Sequence, residues 1–523
     1  MDTLFIPQVG TVPEAIAWWA AATPDAPVLF GVGGDAVSYA QLQTRIENFA
    51  RQLAALDIKR GDRVVLALPD GVAAAVAGLA TIRTAVAVPV NPAQSRAEAE
   101  PVLATVAPRV VIITQGAETA FRAAALHANI PIVTMDDVAI LQLDVDTPAI
   151  ATELPLLPAT DDLAMILLTS GTTDVARRVP ATHGNVLATC STRTRARCLT
   201  HRDRGLSTAP AYFVLGLARI IEALISGGST IVATANEITR QPDTIRMLAT
   251  TWAWIGPALL ETVLEAARQD PTFREWPLRF VRTGGAQVTP DLIARAQALW
   301  GVPVLSGYGT TETFGYIAAE ESPDTIPRKP GSVGHARPGQ EIAIRNADGD
   351  PLPIGTIGEI TVRGLSVFSG YLDDPDATAA AFFPGGWYRT GDLGYRDDEG
   401  YLFVTGRLRE MINRGGEKIA PAEIDEVLRA HPAVADAAAF AIPDARLGEE
   451  IAAAVVLREE GTVDARALRR WVAGRVSPHK VPRRIWVVDA LPRTGSDKVQ
   501  RGELSRRFSS VHSEPVSRRM PSG

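Results

Sequence analysis

Short apolar runs alternate with amphipathic segments along most of this chain, and that alternation carries the first structural expectation. From Thr11 to about Leu56 the spacing is helical: Val12, Ile16 and Trp19 fall on one face, and Leu42, Ile46, Phe49 and Leu53 on another. Gly61-Asp62-Arg63 then introduces an apolar run over 64–68. An Ala-rich helix is predicted over 72–84, and 86–90, 110–113 and 130–133 read as strands. Between about Leu141 and Pro158 the sequence loosens into an Asp-, Thr- and Pro-rich surface connection. Beyond it, 163–168, 229–233, 252–255 and 278–281 read as buried strands, and 258–268 as a helix. Strand and helix alternating in this way predict parallel sheets covered by helices on both faces.

After Gly331-Ser332-Val333-Gly334 the pattern changes to shorter strands of period two, at 341–344 and 358–363. A last stretch has its own αβ pattern: helix 421–430, strands 436–440 and 451–456, helix 464–474 and strand 484–488. The expected fold is α/β. A large N-terminal domain (1–408) holds two parallel-rich sheets with helices plus a β-rich subdomain, and a small mobile α+β domain (409–508) follows. The tail from 509 has little apolar content and is predicted to be disordered.

Composition changes this picture little. A chain of 523 residues is too long for one ordinary core. A formal charge of −7 argues against a general nucleic-acid binder. Cys190 and Cys198 have no metal-ligand context and no further cysteines to form a framework, so both read as reduced thiols. No apolar stretch is long enough to span a bilayer, and the N-terminus lacks the marks of a secretory signal. The expectation is a cytoplasmic protein, monomer or homodimer, with no membrane and no nucleic-acid partner.

Three glycine-bearing turns follow strands: Thr169-Ser170-Gly171-Thr172-Thr173, Thr283-Gly284-Gly285-Ala286, and Gly307-Tyr308-Gly309-Thr310-Thr311-Glu312-Thr313. In open parallel sheets ligands collect at the carboxyl ends of strands, which predicts one shared crevice. Glycine lets main chain approach an anion closely, and hydroxyls beside exposed N–H groups suit phosphate. The first turn runs on through Arg177 and Arg178 to Thr182-His183-Gly184-Asn185.

Five ordered blocks together resemble the adenylate-forming superfamily of acyl-CoA synthetases, adenylation domains and luciferases. They are T-S-G-T-T with T-H-G-N, G-Y-G-T-T-E-T, Y-R-T-G-D-L-G-Y, G-R-L-R-E-M-I-N-R-G-G-E-K-I, and P-R-T-G-S-D-K-V-Q-R. The run from Lys329 to Lys418 is most similar to small-acid ligases of the oxalate-CoA ligase kind. The resemblance implies an AMP-forming acid–thiol ligase: a small or aromatic carboxylic acid attacks the α-phosphate of ATP, and CoA or a carrier protein's phosphopantetheine then displaces AMP. It implies that Thr169 to Thr173 and Arg177 hold the outer phosphates, and that Glu312 binds Mg²⁺ beside Thr311 at the α-phosphate. Gly284, Gly285, Ala286 and the segment Gly307, Tyr308, Gly309 and Thr310 match the adenine pocket and its loop. Asp392, helped by Arg407, matches the ribose ligand, and Lys498 the mobile lysine that bridges carboxylate and nucleotide. Arg409 occupies the hinge position, and Gly415 and Gly416 line the pantetheine passage. Phe213, Trp254, Thr283 and Phe314 are expected walls of the acid pocket.

The chain also departs from the family. Relatives continue T-S-G-T-T-G-x-P-K-G, whereas Asp174, Val175, Ala176, Arg177 and Arg178 follow here, and Asp497 stands where glycine precedes the lysine. An acid beside a triphosphate repels it unless paired with Arg177 or Arg178 or turned outward. Phe213 replaces a histidine usual in CoA ligases, and no aspartate stands there to pair with an α-ammonium group. Arg219 and Glu222, at i and i+3 on one helix, read as a surface or helix-packing pair. Slow but ordinary adenylation, specialised chemistry and lost activity all stay open. The rival functions are an unusual reaction on the same fold, such as amide formation or nitrite activation for diazotisation of an aryl amine, and a catalytically silent nucleotide-binding protein.

Overall fold

The computed structural model describes residues 5–136, 141–143, 153–169, 176–286, 288–320, 329–415, 417–444, 446–459, 461–493 and 498–509. The chain forms two compact units, one of residues 1–341 with 363–382 and one of 342–362 with 383–523. The sequence-based boundary at 408/409 lies inside the second of them.

Two seven-stranded sheets make up most of the first unit. One runs Leu141–Leu143, Ile132–Met135, Val110–Thr114, Arg63–Ala67, Val86–Pro89, Leu163–Leu168, Arg178–Thr182, parallel except at its two edge strands. The other runs Val304–Leu305, Phe280–Arg282, Trp252–Trp254, Arg204–Ser207, Ser229–Val232, Pro27–Phe30, Ala36–Ser38, parallel except for the last pair. The α/β expectation holds. The helix Val72–Thr84 is buried all round from Ala74 onward, which is why its sequence is uniformly small and apolar instead of periodic.

Several local expectations are corrected. The helical stretch predicted over 11–56 is two helices, Val12–Ala22 and Tyr39–Ala55, separated by the strands Pro27–Phe30 and Ala36–Ser38. Each helix opens on a hydroxyl capping box, at Thr11 and Ser38, so the interruption is written in cap residues that periodicity does not weigh. The predicted loose connection after Leu141 begins as the edge strand Leu141–Leu143, and its continuation over 144–152 lies outside the described residues. Ser509 does not start a disordered tail: it ends the helix Arg501–Ser509, which buries Leu504 and Phe508, while 510–523 lie outside the described residues.

The second unit contains an antiparallel sheet, with Gly358–Gly364, Trp387–Arg396 and Leu402–Arg407 side by side, and a second sheet around the long hairpin Val434–Asp444 and Gly448–Leu457. Helices Pro421–Arg429 and Ala465–Ala473 bury Ile424, Leu428, Leu468 and Val472 on one face of that hairpin, and the C-terminal helix covers the other. Among the described residues no helix is long and apolar enough to cross a membrane.

Candidate active site

The strands on either side of the hydroxyl-rich turn, Leu163–Leu168 and Arg178–Thr182, pair antiparallel. Leu168 pairs with Arg178, and the Thr169 N–H donates to the Arg177 carbonyl at 3.0 Å. Ser170, Gly171, Thr172, Thr173 and Asp174 lie outside the described residues. The T-H-G-N block beyond the hairpin starts the helix His183–Ala196. Thr182 and Asn185 form its capping box, and the backbone at Gly184 runs so close to Thr160 that a Cβ would lie 2.6 Å from its methyl carbon. Burial holds the adjacent His183 neutral, its pKa lowered to about 4.

The two arginines that end the altered turn separate. Arg178 donates to the Thr105 carbonyl at 3.0 Å and pairs with Asp373 at 3.0 Å, so it is a strand-anchoring residue. Arg177 lies over the ring of Tyr371, 5.0 Å from its centroid, and the Tyr371 hydroxyl donates to Glu312 Oε1 at 2.8 Å. Burial, and then the Glu312 charge, push the Tyr371 phenol up to about 12, so it stays a neutral donor. Arginine, aromatic ring and carboxylate thus form one chain of contacts, and Tyr371 is a member that the sequence motifs did not single out.

Gly307–Tyr308 is not a turn but a two-residue strand, paired with Ala318–Ala319. Thr310 caps the short 3₁₀ turn Thr311–Thr313, and Phe314 closes it at φ 51°. The Phe368 N–H donates to the Glu312 carbonyl at 2.8 Å, which fixes the backbone under that carboxylate. The Gly284 turn abuts this segment: a Cβ on Gly284, whose φ is 151°, would lie 2.6 Å from the Gly307 carbonyl oxygen. A Cβ on Gly285, at φ 84°, would lie 4.0 Å from the Trp254 ring. Thr283 is buried and its hydroxyl has no hydrogen-bond partner, while Gly285 is exposed and Ala286 half-buried. An orphaned hydroxyl beside two glycines at left-handed φ fits a ligand whose edge is read by main chain. Phe213 and Trp254 are half-buried and Phe314 is buried. Phe213 leans on Tyr212, with ring centroids 4.6 Å apart, and the Asp70 carboxylate accepts from the Ala211 N–H at 2.7 Å, pinning that segment.

Asp392, Arg407, Arg409, Gly415 and Lys498 belong to the second unit, and Gly416 lies outside the described residues. Asp392 and Arg407 face each other across neighbouring strands, and Arg407 Nε meets Asp392 Oδ1 at 2.9 Å. Gly415 adopts φ 61°, and its N–H donates to the Leu447 carbonyl at 2.8 Å. Lys498 is half-buried and precedes the bridge between Arg493 and Val499. Among the described residues no cluster of three His, Cys, Asp or Glu could hold a metal unaided, so a Mg²⁺ ion would need the nucleotide's own phosphates beside Glu312.

Of the two readings offered for Arg219 and Glu222, the surface one is excluded. Arg219 and Glu222 are not at the surface: Glu222 is fully buried, and Arg193 and Arg197 from the helix His183–Ala196 converge on it together with Arg219. Helix packing is the reading that holds, with a charge density that i, i+3 spacing does not disclose. Of the two cysteines, both free, Cys190 is buried with its thiol pushed up to about 12 by burial, and Cys198 is exposed.

The family model described as AMP-binding enzyme matches residues 16–372, and that of the AMP-binding enzyme C-terminal domain matches 423–498. An oxalate–CoA ligase of Arabidopsis thaliana is 35% identical over 93% of this chain and 96% of its own length. The ATP-bound crystal structure of MatB from Rhodopseudomonas palustris superposes with TM-score 0.86 at 28% identity, covering 96% of this chain and all of that one. The o-succinylbenzoate CoA synthetase of Bacillus subtilis, in complex with ATP and magnesium ion, gives 0.82 at 27% identity over 94% and 98%.

Proposed function

We propose, from the premise that this chain belongs to the AMP-binding enzymes, that it activates a small or aromatic carboxylic acid with ATP and passes the acyl group to the thiol of CoA. Acid–CoA ligation is what its relatives' names share, and the family's AMP-binding and an ATP complex of one relative fit its being ATP-dependent and AMP-forming. The observation that supports a working site is the Arg177–Tyr371–Glu312 chain, because it carries the altered phosphate turn to the acid expected at the metal.

In the first step the acid's carboxylate oxygen bonds to the α-phosphorus, and the bond to the pyrophosphate oxygen breaks. Both reactants are anionic, so positive charge must offset their repulsion. Arg177 is assigned the outer phosphates, where its guanidinium fork replaces the family's lysine. Lys498 is assigned the attacking carboxylate and the nucleotide oxygen, a charge-assisted contact worth about 2–4 kcal/mol in the transition state. Glu312 would hold a Mg²⁺ ion, whose charge would offset that on the reacting phosphate. Thr311 orients the α-phosphate, the Gly284–Ala286 main chain and Tyr308 take adenine, and Asp392, paired with Arg407, takes the ribose hydroxyls. Phe213, Trp254, Thr283 and Phe314 enclose the acid. In the second step the thiol, entering past Gly415 and Gly416, attacks the acyl carbon and AMP leaves.

Pyrophosphate release screened across acids, with CoA or a phosphopantetheinylated carrier protein present or absent, tests this. Release that needs an added carboxylate, and a loss of about 10²–10³ in its rate for Lys498→Ala, is the expected result. Release driven by nitrite, or nucleotide binding without turnover, overturns the carboxylate reading.

A further inference from the structure

Helix Val214–Ile225 packs against helix His183–Ala196, and the face it presents carries Leu215, Arg219 and Glu222 at i, i+4 and i+7. Glu222 accepts from Arg219 Nη1 on both oxygens at 2.8 Å, from Arg193 Nη1 at 3.3 Å, and from Arg197. Arg282 and Arg337 are buried within the charge field of the same cluster. Five guanidiniums, on Arg193, Arg197, Arg219, Arg282 and Arg337, are thus 6% exposed or less, and the buried carboxylates near them are Glu222 and Glu320. The Glu320 carboxylate accepts from the Ser306 N–H at 2.9 Å, while Arg282 Nη1 donates to the Glu320 carbonyl at 3.0 Å.

Buried charge of one sign is costly unless it meets its opposite. The strain shows in the titration: burial first, then repulsion from Arg337 and Arg219, brings Arg282 down to about 9, and Arg197 and Arg219 are lowered as well. Arg197 Nε and Arg219 Nε are buried with no hydrogen-bond partner. These are unused donors of planar forks, which match a planar two-oxygen anion.

The cluster is continuous with the candidate site. Arg193 donates to the Phe314 carbonyl, and its guanidinium lies 5.7 Å from the Phe314 ring and 5.5 Å from that of Tyr316. The Cβ position of Gly315 lies 2.8 Å from Leu215 and 3.2 Å from Arg193 Nη2, so helix Val214–Ile225 and the Glu312 loop close on each other there. Tyr212, Phe213, Val214 and Leu215 are half-buried, whereas every residue from Gly216 to Ile225 is buried. The start of this helix is therefore partly open, and Arg219 lies about one turn, ~5–6 Å, further along it.

We propose that this arginine cluster is an anion subsite at the inner end of the acid pocket: it takes a second carboxylate carried by the substrate acid, and Arg219 selects for it. The inference rests on the ligase reading and narrows it to acids whose two carboxylates are separated by up to about one helical turn.

The test uses acid pairs that differ only in a terminal carboxylate for methyl, malonate against propionate and succinate against butyrate, in pyrophosphate release by the full-length protein. The wild type is expected to favour the diacid by at least about tenfold in kcat/KM, because a site with buried donors rejects the analogue that leaves them empty. In Arg219→Met that ratio should collapse by at least about tenfold, chiefly through KM for the diacid, with KM for ATP unmoved. Arg219→Lys, which keeps the charge and loses the fork, should fall between, and it replaces the methionine variant if that one does not fold. Thermal unfolding without ATP gives an independent reading: malonate or succinate should raise Tm of the wild type and not of the variants. Diacid stabilisation without any acid-dependent turnover would keep the subsite and remove the ligase reading. Turnover of monoacids with no diacid preference and no shift would overturn the subsite and keep the ligase. A Tm rise with nitrite but with neither diacid would assign the cluster to a free oxyanion and overturn the proposal as well.

Discussion

His183 and Glu222 are both buried, and both make the fold sensitive to acid, over different ranges. Burial lowers His183 from 6.5 to about 4. Its neutral form is the folded one, so its contribution is complete above pH 6.5 and is lost as pH falls towards 4, about 3 kcal/mol in all. For Glu222 burial alone would raise the pKa, but Arg197, Arg219 and Arg193 outweigh it and bring it from 4.5 to about 2. Its contribution is present above pH 4.5 and lost between there and 2. Urea unfolding followed against pH should show stability falling from 6.5 downward, and His183→Met should flatten the upper part of that curve; an unchanged slope would mean that His183 is protonated in the fold. Glu222→Gln should cost about 3–5 kcal/mol at pH 7, because it leaves three buried guanidiniums without their counter-ion. At the candidate site, Tyr371→Phe removes the donor to Glu312, and a lost hydrogen bond to a charged group is worth about 1.5–3 kcal/mol. Pyrophosphate release should therefore fall about 10- to 100-fold, with the larger effect at low Mg²⁺, while Tm holds. Neither Tyr371 nor the arginine cluster was legible in the sequence. Tyr371 stands 59 positions from Glu312, outside any periodic segment, and Arg193 and Arg197 meet Glu222 only when the second helix is laid against theirs.

At the scale of elements, what sequence could show was whatever chemistry repeats locally. Strands such as Leu163–Leu168 and helices such as Val72–Thr84 fall where apolar runs and small-residue runs predict them. The strands missed include Pro27–Phe30, Ala36–Ser38 and Arg178–Thr182, short edge or near-edge strands whose partners lie far along the chain or across a hairpin, and the central Arg204–Ser207, whose sequence R-G-L-S carries one large apolar side chain, so no period marks them. Glycines in the motif blocks were legible as required but not why. Gly309 is an instance: a Cβ there would overlap the backbone of Gly315 and Tyr316, and those atoms cannot yield without moving Thr311 and Glu312. Gly309→Ala should therefore lower Tm and cut pyrophosphate release by at least about 10², since small displacement of positioned groups is amplified in rate. Gly33→Ala is the control, because no atom lies within 4 Å of its Cβ position. Equal behaviour of the two variants would show that the loop around Gly309 can relax.

For the whole molecule, the motif resemblance implies a bend in the chain when the acyl group passes to the thiol. Contact density divides it at 341/342, 362/363 and 382/383, whereas the motif resemblance puts a hinge at Arg409. Within the second unit the bonds favour the hinge. Before Arg409, Arg407 is tied to Asp392 in the antiparallel sheet at 2.9 Å. After it, Glu410 is tied to Arg501 at 2.9 Å, and Arg501 in turn to Asp425 at 2.6 Å in the last αβ core. Leu408 and Arg409 of the 3₁₀ turn Leu408–Glu410 lie in sequence between these two ion pairs, so a torsional change there would carry the whole C-terminal core, Lys498 included. Proline fixes φ near the value a 3₁₀ turn already has and prevents the change. Arg409→Pro should retain acid-dependent pyrophosphate release within a few-fold and lose thioester formation by at least about tenfold, read as acyl-adenylate accumulating in rapid-quench samples with CoA present. If thioester forms at the wild-type rate, the bend lies elsewhere and the 382/383 division becomes the place to constrain next.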